Sequence, residues 1–254
     1  MRRQALRARH GPPGSGDSLS VNNMAELVFR SAREEDVSPT RWVEIWSSRF
    51  DGTKYPEDVY QELVVKGSGL TSGDFDVLGA WKDGAIAKPI PNRGLRFGNC
   101  WVTFNGKWSE GAAGCAYRVW KGLPRSSECL VQYLAREEHR DFLVHLAGQC
   151  YRKASKGGSA DAAFGLSRAT YVLHIFSGAE FPIYDSNTHR GVHALTQGRY
   201  DGQTIPKTKM KSPNWYLETF CRIVRDLQEA CNATDVPSRR AIDQALFCYG
   251  KAQK

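Results

Sequence analysis

Apolar residues recur at helical spacing over most of the chain, with polar residues between them. Recurrence at i, i+3, i+4 marks one buried face of an α-helix. Residues 41–46 form a short amphipathic piece. Pro56-Glu57-Asp58 suits the first turn of a helix, where proline loses no amide partner and acidic residues meet the positive end of the helix dipole. That helix runs through Val59, Leu63 and Val64 and stops at Gly67-Ser68-Gly69. Thr71-Ser72-Gly73-Asp74 predicts a start for a helix over 75–82, with Thr71 or Ser72 accepting its free amides. Residues 83–107 are irregular. There Asn105-Gly106 lies beside an apolar run and predicts a small β-hairpin near 97–108. Further helices are predicted near 109–121, 126–136, 138–156, 160–176, 186–195, 213–230 and 237–251, with a basic loop over 207–211. The pattern predicts an all-α protein of roughly nine or ten helices.

Composition narrows the class. Residues 1–23 carry Gly11-Pro12-Pro13-Gly14-Ser15-Gly16 and read as a disordered basic tail, leaving 24–254 as the folded region. The net charge of +8 favours a polyanionic partner such as nucleic acid. None of the seven cysteines forms a CxxC pair. A scattered odd set predicts free thiols in a reducing compartment, hence a cytoplasmic protein, nucleoid-associated if bacterial. No apolar run approaches the roughly 18 residues of a membrane span. A monomer without a membrane partner is expected.

Residues 160–195 carry the chemistry. Pro182 holds Phe181 extended, which sets Asp185 at the N-cap of the following helix. Capping alone would explain an isolated aspartate there. The surrounding residues point further. Phe181, Pro182, Ile183, Asp185, Asn187 and Arg190 stand at the spacing Phe-Pro-Ile-x-Asp-x-Asn-x-x-Arg, and Gly165 lies 20 residues before Asp185. Over about 35 residues the chain resembles the helix-hairpin-helix GPD superfamily of DNA base-excision glycosylases, nearest its adenine- and thymine-mismatch branches. The resemblance implies a two-lobed helical fold and a catalytic role for Asp185. A carboxylate there stabilises the oxocarbenium-like sugar as the glycosidic bond breaks, after the base is rotated out of the duplex.

Two departures from the family pattern follow. Where the family hairpin reads Leu-Pro-Gly-Val-Gly, this chain has Asp161-Ala162-Ala163-Phe164-Gly165. The hairpin's phosphate contact then falls to neighbours such as Lys156 and Arg168, which read equally well as a solvated face. Where strand-cleaving members carry a lysine, Ser167 stands. The expectation is a monofunctional DNA glycosylase that leaves an abasic site in an intact strand, acting in repair or antiviral defence. The alternative is an inactive nucleic-acid-binding protein of the same fold. Tyr184, Asn187 and Arg190 are expected to line the site, Trp101 and Trp108 to wall the base pocket, and Lys209 to hold phosphate. His189 and His193 are expected at the surface or facing DNA. Neither an iron–sulfur cluster, which needs four close cysteines, nor another cofactor or metal is expected.

Overall fold

In the computed structural model the described residues are 27–87, 94–104, 117, 121, 143 and 165–254. The tail 1–23, most of the helices expected near 109–121, 126–136 and 138–156, and the candidates Lys156 and Trp108 lie outside them. The fold is mainly helical, with a small antiparallel sheet. Its helices are α1 (Pro39–Ser47), α2 (Glu57–Lys66), α3 (Asp74–Lys82), α4 (Gly165–Phe176), α5 (Ser186–Leu195), α6 (Cys221–Ala230) and α7 (Val236–Ala252). A three-residue helical turn, Pro213–Trp215, and a π-helical turn, Tyr216–Phe220, lead into α6.

Local chemistry explains most of these boundaries. Ser38 caps α1 by accepting from the Arg41 amide, with Pro39 in the first turn. Proline and acidic residues start α2, and Gly67, at φ +36°, ends it. The start of α3 reverses the expected roles. No side chain caps its amides. Instead the Asp74 carboxylate accepts from the backbone and hydroxyl of Thr71, at 2.7 and 2.9 Å, and from Lys66 at 2.9 Å. An acid within the first turn satisfies the preceding loop, so Thr71 and Ser72 are not needed as caps.

The hairpin also differs from its expected position. β2 (Leu95–Phe97) pairs with β3 (Cys100–Phe104), and the chain reverses at Gly98-Asn99, not at Asn105-Gly106. Gly98 has φ +56°, which a side chain would resist. β1 (Ile86–Ala87) pairs with the other edge of β3, giving the order β1-β3-β2. A second hairpin joins β4 (Arg199–Tyr200) to β5 (Gln203–Thr204) through Asp201-Gly202, both at positive φ. That Asp-Gly pair is the tight-turn signal that the sequence reading passed over.

The core is strongly aromatic. Trp42 and Trp46 of α1 meet Tyr249 of α7 with ring centroids 5.4 and 5.0 Å apart. α7 packs along both α1 and α5. Its approach to α5 is backbone against backbone. A Cβ placed on Gly250 would lie 1.8 Å from the Asn187 carbonyl oxygen, and one on Gly191 would lie 2.5 Å from the Leu246 oxygen. Arg190 of α5 locks the crossing, donating from Nε to the Gly250 carbonyl at 3.2 Å and from Nη2 to Asn187 Oδ1. This crossing fixes the N-terminus of α5, where Asp185 sits.

Candidate active site

Asp185 is extended backbone at the N-cap of α5, and its two carboxylate oxygens do different things. Oδ1 accepts from the Asn187 and Thr188 amides at 2.8 and 3.0 Å. In return Thr188 Oγ1 accepts from the Asp185 amide at 2.8 Å, completing a capping box. Oδ2 is left to meet Lys82 Nζ at 3.3 Å, from the last turn of α3. The capping role and a chemical role therefore coexist on one residue. Burial by itself would raise the Asp185 pKa. The Lys82 charge and the two amides outweigh it and hold the carboxyl below the ordinary aspartate value. Asp185 is thus a carboxylate at neutral pH although its side chain is only 18% exposed. A Thr188→Ala variant is expected to lose about 1 kcal/mol of stability with its structure retained. Urea titration checks this, and an unchanged midpoint would remove the box as a stabilising element.

Asp185 lines two adjoining cavities. One is a slot of about 60 Å³ walled by Phe50, Tyr55, Trp81 and Phe247, with Lys82, Arg240 and Asp243 as its other charged groups. The other is an open groove of about 620 Å³, where Arg49, Lys54, Lys251 and Lys254 outnumber the acidic Asp51. A carboxylate thus stands where a flat aromatic slot meets a basic groove.

Behind the slot lies a buried polar chain. The Phe181 carbonyl can only accept, so His174 Nδ1, 2.7 Å away, carries the proton. His174 Nε2 then accepts from Tyr60 Oη–H at 2.7 Å. Burial pushes the His174 pKa down to about 3, so its 3.5 Å approach to Asp243 Oδ2 is not an ion pair near neutrality. Burial pushes Asp243 the other way, from 3.8 up to about 7, with Asp185 adding to the rise while Arg240, the Ile183 amide and Lys82 oppose it.

The sign of the consequence follows. The folded protein holds a proton on Asp243 that the unfolded chain releases, so this group's contribution to stability falls as pH rises from about 4 to about 7. Asp226, raised to about 6, acts with the same sign. His174, held neutral, acts with the opposite sign below its ordinary value of 6.5. The informative quantity is therefore the difference between wild type and Asp243→Asn. Unfolding free energies at pH 4.5 and 7 should show the asparagine variant gaining relative to wild type as pH rises. A constant difference would refute the raised pKa.

The sequence-derived candidates divide clearly. Asp185 and Asn187 line the groove. Tyr184 does not reach it. In the extended segment before α5 successive side chains point to opposite sides, so Ile183 and Asp185 line the slot while Tyr184 enters the core. Its hydroxyl donates to the Met210 carbonyl at 2.9 Å, and its ring packs on Phe220 with centroids 4.7 Å apart. Arg190 is committed to the α5–α7 crossing. His189, expected at the surface, is buried, with Nε2 2.7 Å from the Pro206 carbonyl. His193 is half-buried, with Nδ1 2.8 Å from the Ile205 carbonyl. Both histidines hold the 205–206 loop onto α5.

Gly165, at φ +57°, opens α4. Arg168 pairs with Asp83 at 2.8 Å. Lys209 is no free phosphate ligand, because its Nζ donates to Ser167 Oγ and lies 5.1 Å from the Tyr184 ring centroid. Burial lowers the Lys209 pKa, and the nearby Asp185 charge opposes that fall. Trp101 stands on β3 opposite Arg96 and lines neither cavity; Trp81 takes the wall position. Lys82, Arg240 and Asp243 were not singled out in the sequence. Among the described residues no cluster of three or more histidine, cysteine or acidic side chains could hold a metal ion, and no helix is long and apolar enough to cross a membrane. No protein-family model, curated protein or solved structure matches this chain.

Proposed function

We propose that the protein is a monofunctional DNA glycosylase of the two-lobed helix-hairpin-helix type, with Asp185 as its catalytic carboxylate. The observation that carries this reading is the divided carboxylate of Asp185. Oδ1 is spent on the helix cap, whereas Oδ2, held ionised by Lys82, remains at the mouth of an aromatic slot. Aromatic walls suit a base rotated out of the stack. The basic groove beside them suits the phosphate backbone. An anion fixed by a helix N-terminus needs no reorganisation when positive charge develops on the sugar, which is the general source of such catalysis. Water then adds to C1′, and an abasic site remains.

The test is a set of duplexes carrying damaged or modified bases, scored for alkali-labile abasic sites, with binding measured across a salt series. Abasic sites in one of them, with binding that weakens as salt rises, support the proposal. Salt-dependent binding with no base released from any duplex would favour the non-enzymatic binding protein.

One observation favours a second reading. Lys209 brings an amine to Ser167, the position where strand-cleaving relatives of the proposed family carry their lysine, and close enough for Asp185 to affect its charge. A desolvated amine can attack a sugar carbon and form a Schiff base. Borohydride trapping of a protein–DNA adduct that disappears in Lys209→Ala would establish strand-cleaving chemistry in place of simple hydrolysis.

A further inference from the structure

The slot beside Asp185 holds a donor with nothing to donate to. Arg240 of α7 is 3% exposed. Its Nε reaches Glu57 Oε2 at 3.4 Å, and its guanidinium lies 4.8, 4.4 and 5.0 Å from the ring centroids of Phe50, Tyr60 and Trp81. Its Nη2 is buried and has no hydrogen-bond partner among the described residues. An unmatched donor on a buried cation is costly and marks a place for an acceptor. Lys82 adds a second cation to the same slot. The slot's roughly 60 Å³ holds about four to six waters at about 10–15 Å³ each. A single six-membered heterocycle displaces about that many, and a fused second ring exceeds it.

We propose that Arg240 stabilises the departing base as an anion, and that the slot takes a single-ring oxo-base of the uracil or thymine type; this rests on the glycosylase reading of Asp185. The C1′–N1 bond breaks heterolytically, and its electron pair stays with the base. The charge spreads onto the exocyclic oxygens, one of which receives the Arg240 Nη2 hydrogen bond. Water adds to C1′ and releases one proton, and the base anion takes up one proton from solvent. Nucleotide and water thus give an abasic sugar and a neutral base.

Asp243 lies three residues after Arg240, one turn along α7, and offers an oxygen to the ring N–H beside that carbonyl. The charged groups facing the base are Arg240, Lys82, Asp185 and Asp243, with Glu57 and the neutral His174 behind them. Amino-bases such as cytosine leave most readily after a ring nitrogen is protonated, and two cations in the slot work against that.

The experiment measures single-turnover release from duplexes containing uracil, 5-hydroxymethyluracil, 5-fluorouracil or hypoxanthine, with wild type, Arg240→Met and Arg240→Lys. The 5-fluorouracil anion is intrinsically the most stable of the pyrimidines and needs the least help. Arg240→Met is expected to slow uracil and 5-hydroxymethyluracil by about 10²-fold and 5-fluorouracil by about tenfold or less, with Arg240→Lys between it and wild type. Thermal melts verify folding, and the lysine variant carries the same comparison if the methionine variant does not fold. Equal slowing of all pyrimidines would overturn the assignment, because a merely structural arginine does not discriminate leaving groups. Hypoxanthine released as fast as the pyrimidines would overturn the single-ring class while leaving Asp185 in place. No base released from any duplex would defeat the glycosylase reading itself, and this proposal with it.

Discussion

Gly250→Ala is expected to lower the thermal unfolding midpoint by roughly 6–12 °C, corresponding to about 3 kcal/mol in a chain of this size. Alanine is ordinarily the better helix former, by about 1 kcal/mol. Here that gain is outweighed. The new methyl carbon would sit 1.8 Å from the Asn187 carbonyl oxygen and 2.6 Å from the Gly191 amide nitrogen. Both are backbone atoms, so no side-chain rotation relieves the clash and α5 must move off α7. The displaced helix carries Asp185 at its N-terminus, and a shift of about 1 Å in a catalytic group costs on the order of 10²-fold in rate. Calorimetry checks the first part and base release the second. A variant as stable as wild type would show that the crossing is looser than the geometry implies.

Asp185→Asn is expected to keep the fold and reduce base release by about 10²–10³-fold. Asparagine is as good an N-cap as aspartate, so the amides of Asn187 and Thr188 keep an acceptor. What disappears is the negative charge on Oδ2 and with it the partner of Lys82. The loss of stability should be about 2 kcal/mol, below the roughly 3–5 kcal/mol of fully buried pairs, because both side chains retain some contact with solvent. Circular dichroism and urea titration separate this modest loss from the large kinetic one. The separation matters, because a helix cap and a catalytic carboxylate predict different results for this one substitution. A cap alone predicts no kinetic effect.

Local features were legible in the sequence wherever the physics is local. Pro182 and the cap gave α5 its residues, and Ser186–Leu195 is helical as the pattern predicts. Proline and glycine punctuation placed α2 equally well. The Asp201-Gly202 hairpin was legible too, and only its short strands hid it. The site beyond Asp185 was not legible, because its members meet through the fold. Lys82 lies 103 residues before its partner. Arg240 and Asp243 sit on the last helix and reach the slot only because glycines let α7 approach α5 so closely. Tyr184 shows the limit of reading by proximity. It adjoins Asp185 in sequence, yet the alternation of an extended segment turns it into the core.

The central assignment is tested most directly by quantifying the free base liberated under single-turnover conditions, from one duplex at pH 7, by wild type and Asp185→Asn in parallel. The predicted result is base release by the wild type with the strand left intact, and a rate at least about 10²-fold lower in the folded variant. Equal rates for the two proteins would contradict Asp185 as the catalytic carboxylate.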